Sequence, residues 1–304
     1  MKILGVGLTG LVGSRVVELL KDKYEFENAS RTSGIDILDQ ENLTDFFNSS
    51  SADQVIHLAA KTDVNGCEVD KEEDLSILSL EDKEEQEREF KAKKSAWAIN
   101  VVGAKNVITA CDSTGKRLIY VSTDFVFDGK KNFYTEDDEP NPINWYARTK
   151  YEAEKIVKSS KIPWTILRLS YPYRANYKKK DFIRVLIDKL KNGERLKVIT
   201  DQIITPTFID DFAYVLDYFF QNNSQGIYHS TGSDSLSPYE IARKITEVFN
   251  LDRDLIDETT LDNFFKEGAR RPFHLVLKND KIRKLGIQMK TLEEGLLEIK
   301  KELI

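Results

Sequence analysis

Lys2-Ile3-Leu4-Gly5-Val6-Gly7-Leu8-Thr9-Gly10-Leu11-Val12-Gly13-Ser14-Arg15-Val16-Val17-Glu18-Leu19-Leu20-Lys21-Asp22-Lys23 opens the chain and decides its fold. Lys2 to Gly7 is a short apolar run that reads as a strand. Leu8 to Gly13 reads as a turn, and Ser14 to Lys23 as a helix burying Val16, Val17, Leu19 and Leu20. Gly7, Gly10 and Gly13 give the spacing G-x-x-G-x-x-G between strand and helix. Glycines there let the backbone approach a pyrophosphate and let the helix pack on the strand. The helix start, with Leu11 and Val12, offers unpaired N–H groups to a phosphate. The order strand, glycine turn, helix predicts a dinucleotide site.

A second strand, Tyr24 to Ala29, follows and ends in Ser30-Arg31. In such a site this position faces the adenosine ribose. An acid holds a 2′-hydroxyl there, and a base pairs with a 2′-phosphate. Ser30 and Arg31 therefore favour NADP(H), with NAD(H) the alternative. Asp36, beside Ile37, either accepts from the adenine amino group or marks a helix start. Gln54 to Ala60 is a buried strand whose end, Ala59-Ala60-Lys61, is small enough to leave room for a ligand. His57 within it reads as a packed core residue.

Further outward, Leu118 to Val121 and Trp164 to Leu169 are solidly apolar strands alternating with helices, among them Ser95 to Asp112. That pattern predicts an α/β fold, a doubly wound parallel sheet covered on both faces. The second half mixes short strands with helices: Asp181 to Leu190, Leu196 to Thr200, Thr207 to Phe220, Pro238 to Phe249 capped by Ser237, and Leu292 to Leu303. It predicts a smaller C-terminal α+β lobe. The expected division is 1–172, with 200–230 returning to it, against 173–199 and 231–304. Residues 68–94 stand apart, with eleven acids and six bases and neither Gly nor Pro. They read as one or two exposed helices, a solvated insertion or a partner surface.

The stretch from Ser122-Thr123-Asp124 to Tyr146-Ala147-Arg148-Thr149-Lys150 carries the candidate chemistry. On a helix, Tyr146 and Lys150 are one turn apart on one face. An ammonium about 5 Å from a phenol, at an effective dielectric near 20, favours the phenolate by roughly 3 kcal/mol. A tyrosine tuned in this way serves as general acid or base.

The net charge of −6 argues against a nucleic-acid surface. The three histidines, His57, His229 and His274, make no metal pattern, and no metal is expected. Cys67 and Cys111 have no metal-like spacing and read as reduced cytoplasmic thiols. Met1-Lys2 and the apolar run after it imitate a signal peptide. The glycines at 5, 7, 10 and 13 and the charges on the next helix argue otherwise. No stretch approaches the ~18 apolar residues of a membrane span.

Taken together, GLTGLVGS, HLAAKT, AINVVGAKNVITAC, LIYVSTDFVFDG, YARTKYEAE, ILRLSYPY, DQIITPTFIDDFA, GIYHSTGSDSLSPYEIA and RPFHLVLKNDKIRKLGI resemble the extended short-chain dehydrogenase/reductase superfamily. Within it they are most similar to the dTDP-4-dehydrorhamnose reductase family, nearly end to end. The resemblance implies a Rossmann sheet and catalysis by Thr123, Tyr146 and Lys150. Tyr146 would give a proton to a ketone oxygen. Lys150 would hold the nicotinamide ribose and depress the Tyr146 phenol, and Thr123 would bond the substrate carbonyl. Gly7, Gly10 and Gly13 would meet the pyrophosphate. Ala59, Ala60, Lys61, Ser122, Ser170 and Tyr171 would line the nicotinamide side, and Asn100 would support the site. Asp124, Val126, Trp145, Gln202 and Thr207 would face a nucleotide-sugar substrate with Thr123.

Thr123 is followed by Asp124-Phe125, where a dehydratase of this superfamily has Asp-Glu, so plain ketone reduction is implied. Trp145 replaces a small or aliphatic residue and would narrow the pocket. The acidic insertion has no counterpart in the short bacterial reductases. The resemblance extends to the regulatory β-subunit of methionine adenosyltransferase, which implies an alternative: an NADP-binding partner subunit, with 68–94 as its contact. A nucleotide-sugar epimerase is a third reading, and a homodimer is compatible with each.

Overall fold

A computed structural model describes residues 1–303. The first half alternates as the sequence predicts: β1 (Lys2–Val6), α1 (Leu11–Leu20), β2 (Glu25–Ala29), α2 (Gln40–Ser49) and β3 (Gln54–His57). Two helices, α3 (Val64–Leu78) and α4 (Lys83–Lys93), carry the charged segment 68–94. A π-helical turn (Ala98–Val102) leads into α5 (Gly103–Thr114), then β4 (Arg117–Thr123), α6 (Trp145–Ser159) and β5 (Trp164–Leu169). β6 (Pro172–Tyr173), α7 (Phe182–Lys191), β7 (Leu196–Ile199), β8 (Ile203–Ile204), β9 (Thr207–Phe208), α8 (Ile209–Gln221) and β10 (Gly226–His229) follow. The chain continues with α9 (Pro238–Phe249), β11 (Ile256–Thr259), α10 (Leu261–Phe264), β12 (His274–Leu275), α11 (Asp280–Arg283) and α12 (Leu292–Leu303).

The six-stranded sheet runs β2-β1-β3-β4-β5-β10. Every neighbouring pair is parallel. All seven residues of β4 are buried, as a strand covered on both faces requires. Leu4, Val6, Val55, Leu118 and Tyr120 face one helical layer, and Ile3, Ile56, Ile119 and Leu167 the other. α8 packs beside α1 on the second face. A separate apolar core, including Tyr173, Ile183, Ile187, Phe208, Ile241, Ile245 and Leu296, lies under α7, α9 and α12.

The sheet order reverses at β1, which sits between β2 and β3. Val6 is level with Ala29 on one side and His57 on the other. The turns after all three strands therefore open at one carboxyl edge, where open α/β sheets bind ligands. α1 begins at Leu11, earlier than the Ser14 expected from the sequence, so Gly13 lies inside its first turn.

The charged segment 68–94 is not free in solvent. α4 buries Phe90, with Glu85, Gln86 and Glu89 half-buried and the rest exposed. α3 packs on α6, and its Asp74 is completely buried. The reason is local: the chain at 95–97 starts a helix, and its free N–H groups need acceptors that Asp70 and Asp74 supply.

Candidate active site

A cleft of about 690 Å³ opens at the carboxyl edge of the sheet. Gly7, Gly10, Leu11, Val12 and Gly13 line one end. Ala60, Ser122, Thr123, Asp124, Tyr146, Lys150 and Tyr171 line its middle. These sequence-predicted residues come together although they span 165 positions of chain.

The glycine turn is shaped by close backbone approach. Gly7 has φ +92°, and a Cβ there would meet the Ala59 nitrogen at 2.7 Å. A Cβ at Gly13 would meet Leu8 Cα at 2.6 Å. Gly10 is the N-cap of α1 and has no side-chain cap, so the first N–H groups of the helix face the cleft uncommitted. Ser122 Oγ is buried, lines the cleft, and has no hydrogen-bond partner. A dinucleotide's phosphates and ribose hydroxyls would satisfy these groups.

Tyr146 occupies the first turn of α6, which Asn144 caps by accepting from the Ala147 N–H. Its phenol is buried, and burial drives it above the usual tyrosine range while the Thr123 hydroxyl draws it partly back. Lys150 Nζ donates to the Val121 carbonyl at 2.9 Å and stands 4.2 Å above the Tyr120 ring. Burial lowers this ammonium to about 7. The expected depression of the Tyr146 phenol by Lys150 is therefore not found. At Tyr146 burial outweighs the Thr123 hydrogen bond and the nearby Asp124 adds to it, and at Lys150 burial outweighs the attraction of Glu154.

Asp124 is buried beside them. Ser170 Oγ donates to one of its oxygens at 2.7 Å and Thr123 Oγ1 to the other at 2.9 Å. Burial raises its carboxyl to about 6 against these two donors. Tyr171 lines the cleft at φ +38°, a strained value for a side chain of this size.

Several expected residues lie outside the cleft. Asn100 holds the back of the site: its Oδ1 accepts from Lys61 N at 2.8 Å, and its Nδ2 donates to Lys61 O and to Thr149 Oγ1. Ala59 packs behind Gly7. Ser30 and the exposed Arg31 follow β2, where Ser30 shares hydrogen bonds with Thr32 and Ser33. Asp36 is committed to Lys94 and to the Leu38 N–H, and Ile37 is core. Val126 is core, Gln202 donates to the Pro272 carbonyl, and Thr207 to the Ser170 carbonyl. Trp145 turns away: its indole donates to Asp74 and stacks on Trp97, so it does not narrow the cleft.

The sequence reading missed part of the cleft's rim. Lys178, Lys179 and Lys180, with Arg271 and Phe265, line it. The run of three lysines before Asp181 was the available signal. Tyr177, just before them, donates to the Thr9 carbonyl at 2.7 Å, bringing this segment over the glycine turn. Among the described residues no cluster of His, Cys, Asp and Glu could hold a metal, and no helix is long and apolar enough to cross a membrane. Cys67 and Cys111 are buried free thiols.

Fold and cleft define an NAD(P)-dependent oxidoreductase of the extended short-chain dehydrogenase/reductase type. The chain belongs to the RmlD substrate binding domain family, whose model matches residues 1–84 and 81–304. It is similar to the probable low-salt glycan biosynthesis reductase Agl14 of Haloferax volcanii, at 28% identity over 95% of this chain and 94% of that one. The crystal structure of dTDP-4-dehydrorhamnose reductase from Bacillus anthracis, in complex with NADP, superposes with a TM-score of 0.85. It is 29% identical and covers 99% of both chains. The methionine adenosyltransferase 2 subunit beta of Xenopus tropicalis is 32% identical, over 64% of this chain and 60% of its own length.

Proposed function

We propose that the protein reduces the 4-keto group of a 4-keto-6-deoxy nucleotide sugar with NADPH, Tyr146 supplying the proton. The observation that carries this reading is the meeting of Thr123, Tyr146 and Lys150 with the glycine turn in one cleft. When bound, the dinucleotide supplies the hydride; the protein supplies placement and a proton. The turn at Gly7 to Gly13 would hold the pyrophosphate, and Arg31 with Ser30 would meet the 2′-phosphate. Burial keeps the Tyr146 phenol protonated near neutral pH, the form a proton donor needs. Lys178 to Lys180 and Arg271 on the cleft's rim suit the diphosphate of a nucleotide sugar.

NADPH oxidation with dTDP-4-keto-6-deoxy-mannose tests the reading, in wild type and Tyr146→Phe. The variant is expected to lose at least about a hundredfold in kcat. Equal rates in the two proteins, or no turnover of any 4-keto nucleotide sugar by the wild type, would refute it.

A second reading, an NADP-binding regulatory subunit, draws on the similarity to the methionine adenosyltransferase subunit and on the exposed Val69 and Leu75 of α3. Val69→Asp combined with Leu75→Asp, both at exposed positions, would then release a co-purifying partner without changing nucleotide binding. The complete Thr123, Tyr146 and Lys150 set favours the enzyme.

A further inference from the structure

We propose that Asp74, a residue of the charged segment 68–94, is a positioning residue for Tyr146: its buried carboxylate fixes the start of α6 through the indole of Trp145. The inference rests on the reading of Tyr146 as proton donor. Asp74 lies in α3, 72 positions before Tyr146, and touches no part of the cleft. It has no solvent exposure at all. One of its oxygens accepts from Trp145 Nε1 at 2.7 Å and from the Trp97 N–H at 3.0 Å. The other accepts from the Ser95 hydroxyl.

Two helix starts are thereby tied to one carboxylate. Trp145 is the first residue of α6 and Tyr146 the second. The backbone N–H of Trp145 donates to Glu68, also on α3, at 2.8 Å. Trp97 precedes the π-helical turn that carries Asn100, and Asn100 bonds Thr149 on α6. The Trp97 and Trp145 rings stack, with centroids 5.6 Å apart and planes 26° apart. Asp74 thus sets the rotation of the α6 start from one side, and Asn100 holds the next turn from the other. An apolar, smaller side chain at 74 leaves the Trp97 N–H and the buried Trp145 indole N–H without this acceptor, and the indole recovers a partner only if Trp145 shifts. Tyr146 is the adjacent residue, so such a shift displaces its phenol.

An asparagine provides the discriminating control. Its amide oxygen can accept from both N–H groups, and its NH2 can donate to the Ser95 hydroxyl. All three hydrogen bonds survive without the charge. The experiment measures kcat and KM in the full-length chain, with a 4-keto nucleotide sugar as substrate. Asp74→Ala is expected to lower kcat on the order of tenfold, with the KM for NADPH unchanged within about twofold. Asp74→Asn is expected to restore kcat to near the wild-type value. Trp145→Phe, which keeps a ring but loses the donor, is expected to lower kcat, and its effect should not add to that of Asp74→Ala.

An unchanged kcat in Asp74→Ala overturns the proposal. So does an Asp74→Asn protein as impaired as Asp74→Ala. Should Asp74→Ala fail to fold, Trp145→Phe decides alone, and a wild-type kcat there overturns the proposal. A wild type that reduces no 4-keto sugar removes the reductase reading instead. Amide hydrogen exchange over Trp145 to Lys150 then decides the positioning claim: faster in Trp145→Phe than in Asp74→Asn supports it, and equal rates overturn it.

Discussion

Lys150 shows how burial and charge compete at one atom. Its ammonium has a single backbone acceptor, the Val121 carbonyl, and the face of Tyr120. Neither replaces the water it lost, and the group falls from 10.5 to about 7. The unfolded chain binds more protons at this site than the folded one between those two values. Stability of the cofactor-free protein therefore gains from this group as pH rises through that window, by up to about 1.4 kcal/mol per pH unit. Lys150→Met removes the contribution. Urea midpoints measured from pH 7 to 9.5 are expected to climb more steeply for wild type than for the variant. Parallel curves would mean that the ammonium is not desolvated. The neighbouring Tyr146 is displaced the opposite way by the same burial, so the pair holds a neutral phenol beside a lysine that titrates near neutrality.

At the scale of elements, what was legible in the sequence was local and what was not was distant. The glycine turn, the buried parallel strands and the Ser237 cap of α9 all depend on residues within a few positions of one another. So does the Tyr146–Lys150 pair. The direction of Trp145 depends on Asp74, 71 positions earlier, and no spacing rule reaches that far. Ser170 and Asp124, 46 apart, likewise meet only because β4 and β5 are neighbours. The glycine turn also supports a graded prediction. A Cβ at Gly13 strikes the Leu8 backbone at 2.6 Å, whereas at Gly10 the nearest atom is the Gly7 carbonyl at 3.4 Å. Gly13→Ala is expected to lose about 1–3 kcal/mol of stability and to weaken NADPH binding. Gly10→Ala is expected to fold with near wild-type stability. Chemical denaturation and a fluorescence titration with NADPH check both, and equal stability of the two variants would contradict the packing argument.

Across the whole molecule, the cleft joins parts that the chain keeps far apart. Arg174 donates to Ser14 and Glu18 of α1, Tyr177 reaches Thr9, and Arg15 binds Asp210 of α8 and Glu302 of α12. A dinucleotide lying along the glycine turn would bind only the folded arrangement, so cofactor affinity is readable as stability. At a hundredfold excess over Kd, a ligand of the folded state adds about 2.7 kcal/mol, roughly 5 °C in Tm for a chain of this size. On the proposed reading, the end of β2 sets which cofactor gives the larger effect. It carries the exposed Arg31 and the hydroxyls of Ser30, Thr32 and Ser33, and no acid follows until Asp36, which is already paired with Lys94. NADPH at a fixed concentration is therefore expected to raise Tm more than NADH at the same concentration. Arg31→Ala is expected to bring the NADPH effect down to that of NADH while leaving the NADH effect and the unliganded Tm where they were. An NADH shift as large as that of NADPH in the wild type would assign the ribose pocket to the 2′-hydroxyl, and Arg31 to the solvent.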